Sequence, residues 1–329
     1  MHGNPSVTTL VSLHEIEAAR VRVRPAARLT PLIEVPWPGN GTGTLFLKCE
    51  NFQPMGAFKI RGAYNMIAQL SPDELQRGVI TYSSGNHGQA VALAARLLGA
   101  KAVIVMPTTA PNVKVEGARG YGAEVIFAGT TSLDRKARAE QLASERGLVM
   151  IPPFDHARII AGQGTVGLEI LDQCRDVGTV VVEIGGGGLS SGVAAAIKQR
   201  APHVHLVGVE PEGAPKMKRS IEAGAPITLE KVATIADGLM TVRPGDLTFE
   251  HVRAFVDEIV TVTDPEMVRA IAWLYRNARI VVEPSGSVTT AAVMLGRGGI
   301  DPSKAPVVAI VSGGNVEAAK YAEYITSTA

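Results

Sequence analysis

Cysteine is scarce in this sequence: Cys49 and Cys174 are the only two in 329 residues, far apart and without a CxxC. Their scarcity excludes a disulfide framework and a cysteine zinc site, and it fits a reducing compartment in which both thiols pack into a core. A surplus of charge is equally absent, with 32 lysines and arginines against 31 aspartates and glutamates and a formal charge of +1. Nothing here suits a nucleic-acid groove or an anionic membrane surface, so small neutral or zwitterionic partners are more natural. No uncharged apolar run reaches the roughly 18 residues that span a bilayer. The opening MHGNPSVTTLVSLHEIEAAR has no basic stretch followed by an apolar one, so it reads as neither secretory signal nor transit peptide. A cytoplasmic protein of about two domains is expected, long enough to bury a sizeable core.

What is present is alternation. Short β-branched runs at 44–50, 79–82, 102–106, 124–128, 149–151, 179–184, 204–210, 258–262, 280–283 and 307–312 alternate with segments of helical period. This is the pattern of parallel βαβ units, and so many strands imply two sheets. Ser12 with Glu15 and Ser71 with Glu74 form capping boxes, Pro72 sits at a first helical position, and Asp264-Pro265 marks another start. Helices are expected at 87–98, 132–146, 158–174, 189–200, 264–277 and 315–325. A small domain over 73–152 is expected to be inserted in a large one formed by 1–72 and 153–329.

One loop stands out. In TVVVEIGGGGLSSGVAAAIK a strand runs into Gly185, Gly186, Gly187 and Gly188 and then into a helix. Consecutive glycines let backbone N–H groups curl around one anion, and the helix N-terminus adds about half a positive charge. A phosphate fits; the alternative is a flexible turn without a ligand. No GxxxxGK[ST] occurs, and Ser191 stands where a GxGxxG fingerprint needs its last glycine, so a compact monophosphate suits the loop better than a dinucleotide.

A second stretch, MGAFKIRG, places Lys59 beside Phe58 at the start of a helical segment. Both the helix N-terminus and apolar burial disfavour an ammonium there, leaving the neutral amine that adds to a carbonyl. An exposed helix lysine is the alternative. Joined to the glycine loop, a carbonyl-binding lysine calls for pyridoxal 5′-phosphate, which carries one aldehyde and one phosphate. In TYSSGNHGQAVALAARLLGA, Ser83, Ser84, Asn86 and His87 put donors at a helix start, where a carboxylate could dock, although SSGN also reads as an ordinary N-cap turn. In VVAIVSGGN, Ser312 ends a strand before Gly313, which alone is a simple strand-to-helix turn.

GAFKIRGA, YSSGNHGQA, IAGQGTVGLEI, EIGGGGLSSG, VEPSGSV and IVSGGN, in this order, resemble the fold-type II pyridoxal-phosphate enzymes, specifically the serine/threonine dehydratase and serine racemase family. The resemblance covers essentially the whole chain. It implies an α/β, two-domain, tryptophan synthase β-like architecture of parallel sheets flanked by helices, and a homodimer. It further implies that Lys59 holds the cofactor, with Phe58 under the ring, Asn86 on the ring hydroxyl, Gly185 to Leu189 on the phosphate and Ser312 facing the pyridine nitrogen. Gly238 and Glu283 fall on further cofactor positions, and Ser83, Ser84, Asn86 and His87 on the loop that binds the substrate carboxylate.

The implied chemistry is deamination of a small β-hydroxy amino acid, L-serine or L-threonine with 3-hydroxyaspartate as a further candidate, by α-proton abstraction at Lys59 and β-elimination to a 2-oxo acid and ammonia. Ser84 matches a hydroxyl on the opposite ring face, which keeps serine racemisation with Lys59 and Ser84 as opposed bases as the alternative. Arg135 matches a position that meets a second substrate carboxylate; a solvated helix arginine is its other reading. Where relatives with a divalent metal site carry a carboxylate, this chain keeps Glu210 but has Lys216, so no metal ligands are assigned and the divalent cation is left open. The C-terminus at Ala329 implies no regulatory domain and no isoleucine feedback. A non-catalytic cofactor carrier, a sugar-phosphate-binding regulator and a nicotinamide oxidoreductase are the other classes to exclude.

Overall fold

The computed structural model describes residues 9–327 apart from 40, 84, 111, 302 and 304. Along the chain run α1 (Leu13–Val23), β1 (Leu32–Val35), β2 (Leu45–Cys49), α2 (Ile60–Ile67), α3 (Pro72–Arg77), β3 (Val79–Tyr82), α4 (Asn86–Leu97), β4 (Ala102–Met106), α5 (Asn112–Gly120), β5 (Glu124–Phe127), α6 (Ser132–Arg146) and β6 (Val149–Met150). There follow α7 (Ala157–Gln173), β7 (Thr179–Glu183), α8 (Gly188–Arg200), β8 (His205–Pro211), α9 (Lys216–Ala223), α10 (Asp246–Phe255), β9 (Glu258–Val262), α11 (Asp264–Ala278), α12 (Pro284–Met294), β10 (Val307–Val311) and α13 (Ala318–Thr326).

Two sheets form. The larger has the order β1-β2-β10-β7-β8-β9 and the smaller β5-β4-β3-β6. All pairings are parallel except β1 with β2. Strand alternation explains how both faces are covered. Val181, Val207, Val209 and Val311 face Leu274, Val288 and Ala292 of α11 and α12, while Val180, Val182 and Ile310 face Ile170, Val193 and Ile197 of α7 and α8. In the smaller sheet Ile104 and Met106 pack with Ala90 and Ala94 of α4, and Ile80 and Val105 pack with Ala139 and Leu142 of α6.

Helix starts obey their capping chemistry. Ser12 with Glu15 and Ser71 with Glu74 close as reciprocal boxes, and Thr263, one residue before the expected Asp264 start, caps α11 with Glu266. The expected strand at 280–283 is absent. Pro284 occupies the first turn of α12 and Glu283 is its N-cap, so this apolar run leads into a helix although Val282 is buried like a strand residue. An antiparallel edge strand at Leu32–Val35 takes the tenth place instead.

Candidate active site

β2, β10 and β7 are parallel neighbours, so their C-terminal ends lie side by side at one rim, the usual ligand position of an open parallel sheet. The chain leaves β2 toward Lys59, β10 toward Ser312 and β7 toward the glycines. The Phe58 N–H donates to Ser312 O at 3.0 Å and Ala57 bridges Gly313, which hangs the Lys59 loop on the turn after β10. Lys59 directly precedes α2. Its Nζ donates to Pro153 O at 2.8 Å and lies 5.1 Å from the Phe58 ring centroid. Desolvation lowers this ammonium to about pKa 8.

The glycine loop meets the same segment from the other side. A Cβ at Gly186 would fall 2.3 Å from the Phe154 ring, and one at Gly188 3.0 Å from Phe154 Cβ. Gly187, at φ +99°, turns the chain through the left-handed region into α8. The first N–H groups of that helix have no acceptor one turn back and point out of its N-terminus. The side chain of Leu189 is buried in the core, so what it can offer a ligand is its N–H. Thr248 Oγ1 donates to Gly186 O at 2.7 Å, and Asp155 accepts from the N–H groups of Asp246, Leu247 and Thr248. Residues 153–155 therefore hold the Lys59 amine with one carbonyl, line the glycine loop with one ring, and cap the helix that supports it. Sequence reasoning missed all three; the paired prolines 152 and 153 between β6 and α7 were the available signal.

Asn86 opens α4. Its Nδ2 donates to Glu283 Oε1 at 2.7 Å, and its Oδ1 accepts from Asn315 Nδ2 at 2.9 Å, which also donates to Met55 O. Asn315 is thus a further site residue, lying at the end of the IVSGGN stretch without being singled out there. Glu283 is buried with Oε2 unpartnered; desolvation first, then the nearby Asp237, pushes its carboxyl up to about 8. Gly238 N–H donates to Ser285 Oγ at 2.9 Å, and a Cβ on Gly185 would lie 3.1 Å from Gly238 O.

Ser83 Oγ accepts from the Gly85 N–H at 3.1 Å, while Ser84 lies outside the described residues. The His87 ring is buried with Nε2 3.1 Å from Ile151 O. Desolvation and the Lys59 charge press its pKa down to about 3, so the neutral ring donates to Ile151, and what His87 can offer a ligand is its backbone N–H in the first turn of α4. Arg135 stands in α6, its Nη1 donating to Thr130 O at 3.3 Å. Among the described residues no hydrogen bond joins it to the groups above.

Beneath the glycine loop lies a second buried lysine. Lys216 is 0 % exposed and its Nζ meets Ile184 O at 3.0 Å, Leu239 O at 3.1 Å, Ala214 O at 3.2 Å and Glu210 Oε1 at 3.2 Å. Among the described residues no group of three or more His, Cys, Asp or Glu side chains could hold a metal ion.

An amine with a lowered pKa, a helix-start anion cup beside it, and a hydroxyl and an amide on the same rim fit a ligand with an aldehyde and a phosphate. The sequence profile of the family described as pyridoxal-phosphate dependent enzyme matches residues 23–313. The chain belongs to that family. The catabolic L-threonine dehydratase of Staphylococcus aureus (strain USA300) is 43% identical over 314 residues, 94% of this chain and 90% of that protein. The structure of maize serine racemase superposes with a TM-score of 0.90 at 39% identity, covering 96% of this chain and 97% of that one. The processed form of threonine deaminase isoform 2 from Solanum lycopersicum superposes with a TM-score of 0.88 at 36% identity, covering 98% and 92%.

Proposed function

We propose that this family member is an ammonia-lyase that converts L-serine or L-threonine, with 3-hydroxyaspartate as a further substrate, to a 2-oxo acid and ammonia. The single observation that carries the reading is the Lys59 amine on Pro153 O at 2.8 Å, one residue from the ring that lines the glycine cup. The 43% identity to an L-threonine dehydratase supports the reaction class.

In this reading Lys59 holds the aldehyde carbon of pyridoxal phosphate, the N–H groups of Gly185 to Leu189 hold its phosphate, Phe58 lies under the ring, and Asn86, Gly238, Glu283 and Ser312 line the rest. When bound, the cofactor supplies an electron sink for charge developing at the substrate Cα. Once the substrate's amine has displaced it from the aldehyde, the freed Lys59 amine would take the α proton: with a pKa of about 8 for the unbonded group, roughly a tenth of the amine is uncharged at pH 7, where an ordinary lysine has almost none. The ammonium so formed returns that proton to the departing β-hydroxyl. The substrate carboxylate docks at Ser83, Ser84 and the first N–H groups of α4, including those of Asn86 and His87, with the helix dipole behind them. The buried neutral ring of His87 adds no competing charge.

The Lys216 ammonium, ringed by three carbonyls and the Glu210 carboxylate, supports a lyase that needs no divalent cation, since the position beneath the cup already holds positive charge. A large domain of residues 1–72 and 153–329 and a small one of 73–152 are supported by the small sheet's strands, which all fall within 79–150. No helix among the described residues is long and apolar enough to cross a membrane; a cytoplasmic homodimer without nucleic-acid or membrane partners completes the reading.

A panel of serine, threonine and 3-hydroxyaspartate stereoisomers, followed for 2-oxo acid and for inverted amino acid with and without magnesium, tests this. Release of 2-oxo acid from none of them would sink the lyase. The likeness to maize serine racemase favours one second reading, a racemase using Lys59 and Ser84. Ser84→Ala should then abolish D-serine formation while sparing much of the elimination; equal loss of both counts against that role.

A further inference from the structure

Glu183 ends β7 and has no part in the mechanism above. It is 3 % exposed, and neither carboxyl oxygen has a hydrogen-bond partner among the described residues. Burying such a group unpaired costs about 1–3 kcal/mol, and the three valines before it show that the strand otherwise packs with apolar side chains. Packing alone gives no reason for a carboxyl here.

Its surroundings give one. β10 runs beside β7 with Ala309 paired to Val181, a register that carries Val311 to Glu183 and sets Ser312 one residue farther along at the same rim. After desolvation, the strongest influence on this carboxyl is the Ser312 hydroxyl, and Glu283 is the charged type of group that faces it. β8 opposes it with apolar Val209, and the Lys216 ammonium lies one residue on, at Ile184 O. Burial pushes Glu183 up to about 8, so it keeps its proton at neutral pH.

A hydroxyl has one hydrogen to give. If Glu183 is protonated it donates to Ser312 Oγ, and the Ser312 hydrogen is free to be donated onward; if Glu183 is ionised, it accepts that hydrogen instead. We propose that Glu183 is a positioning residue: by donating its carboxyl proton to Ser312 Oγ it aims the Ser312 hydroxyl hydrogen at the pyridine nitrogen of the bound cofactor. The inference rests on the reading of Ser312 as the residue that faces this nitrogen. The sign follows: ring binding is stronger below pH 8, where the carboxyl is protonated, and weaker above it.

The test uses pyridoxine 5′-phosphate, which has no aldehyde to bond Lys59, titrated calorimetrically into cofactor-stripped full-length protein below and well above pH 8. Lys59 titrates in the same range but is common to every variant, so differences between variants report Glu183. Wild type should lose roughly three- to tenfold in affinity on crossing pH 8, the worth of one net hydrogen bond. Glu183→Gln, whose amide donates at every pH, should lose clearly less. Ser312→Ala should bind weakly at both pH values and be indifferent to Glu183→Gln added to it. A Glu183→Gln protein that keeps the full wild-type loss overturns the inference, as does a wild type with no loss. Ser312→Ala binding like wild type at both pH values overturns the reading of Ser312 instead. Should Glu183→Gln fail to fold by circular dichroism, Glu183→Leu replaces it: uniformly weak binding supports the inference, and wild-type affinity with the wild-type pH loss overturns it.

Discussion

The charges buried between α2 and α7 and those buried at the rim of the large sheet are compensated to different degrees, although Lys59 and Arg61 stand only two residues apart. Arg61 binds Glu50 through Nε and Nη2 at 2.7 Å each and Glu169 through Nη1 and Nη2 at 2.7 and 2.8 Å. Lys48 completes the cluster on Glu169 at 2.6 Å. Desolvation opposes these charges and outweighs the Glu169 and Glu50 carboxylates at Lys48, whose pKa is lowered, whereas at Arg61 the same two carboxylates win and hold the guanidinium above its usual pKa. At the rim, among the described residues, Lys59 has a single carbonyl as its hydrogen-bond partner, Glu283 has one unpartnered oxygen and Glu183 has two, and desolvation displaces all three toward neutrality. Buried charge that is fully paired fixes the frame; buried charge left partly unpaired is free to exchange protons.

That contrast is broken most severely at Lys59. Lys59→Ala should lower turnover by 10²–10⁴-fold or more, as removal of a general base does, without lowering stability. Its lowered folded-state pKa means that the unfolded chain binds more protons between pH 8 and 10.5, so the amine costs stability below pH 8 and the cost fades as pH rises to 10.5. Compared without cofactor, where the wild-type amine is free, the variant should therefore melt higher than wild type below pH 8 and level with it near 10.5. A lower melting temperature combined with full activity would reverse the assignment.

Arg61→Ala should do the opposite. It strands Glu50 and Glu169 without their shared partner and should cost about 3–5 kcal/mol in denaturant unfolding. The folded fraction should keep nearly full activity per bound cofactor. Lys216 tests the middle ground, a paired cation that also supports the site: Lys216→Ala takes the donor from three carbonyls and the counter-charge from Glu210, which keeps the Met217 and Lys218 N–H groups, and should cost about 1–3 kcal/mol and weaken cofactor retention. Wild-type turnover should be unchanged by a divalent chelator. A chelator-sensitive wild type would refute the built-in cation.

The sequence carries these two kinds of burial unequally. Strand runs, capping boxes and the glycine loop are local patterns, so Lys59, Gly185 to Gly188 and the β3 to α4 turn could be picked out before any contact was known. The run at 280–283 misled because apolar residues entering a Pro-started helix have the composition of a strand. Leu32–Val35 was missed because four residues between Pro31 and Pro36 gain strand character only from pairing with β2. Phe154 and Asp155 had only the paired prolines before them as a signal, and nothing local singles out Ser285 or Asn315: each matters through a partner some thirty to over two hundred positions away. Arg61 and Glu169 sat inside quoted motifs, yet their pairing across 108 positions is a tertiary fact.

The smallest expected effect belongs to Arg135, which falls between the two classes. It is half-buried in the first turn of α6, with Nη1 on Thr130 O and Nε buried without a partner. Desolvation lowers its pKa, opposed by Asp134 and Tyr82. Tyr82 ends β3 immediately before Ser83, so the guanidinium stands near the β3 to α4 turn while forming no hydrogen bond to it among the described residues. If it reads a second carboxylate it does so in a partly solvated setting, where an ion pair contributes about 0–1 kcal/mol. Arg135→Ala should then raise KM for 3-hydroxyaspartate by roughly two- to fivefold, leaving KM for serine and both kcat values unchanged, because the charge lies away from the Cα chemistry. Equal shifts for serine and 3-hydroxyaspartate would mean that Arg135 supports the fold of α6 rather than choosing the substrate.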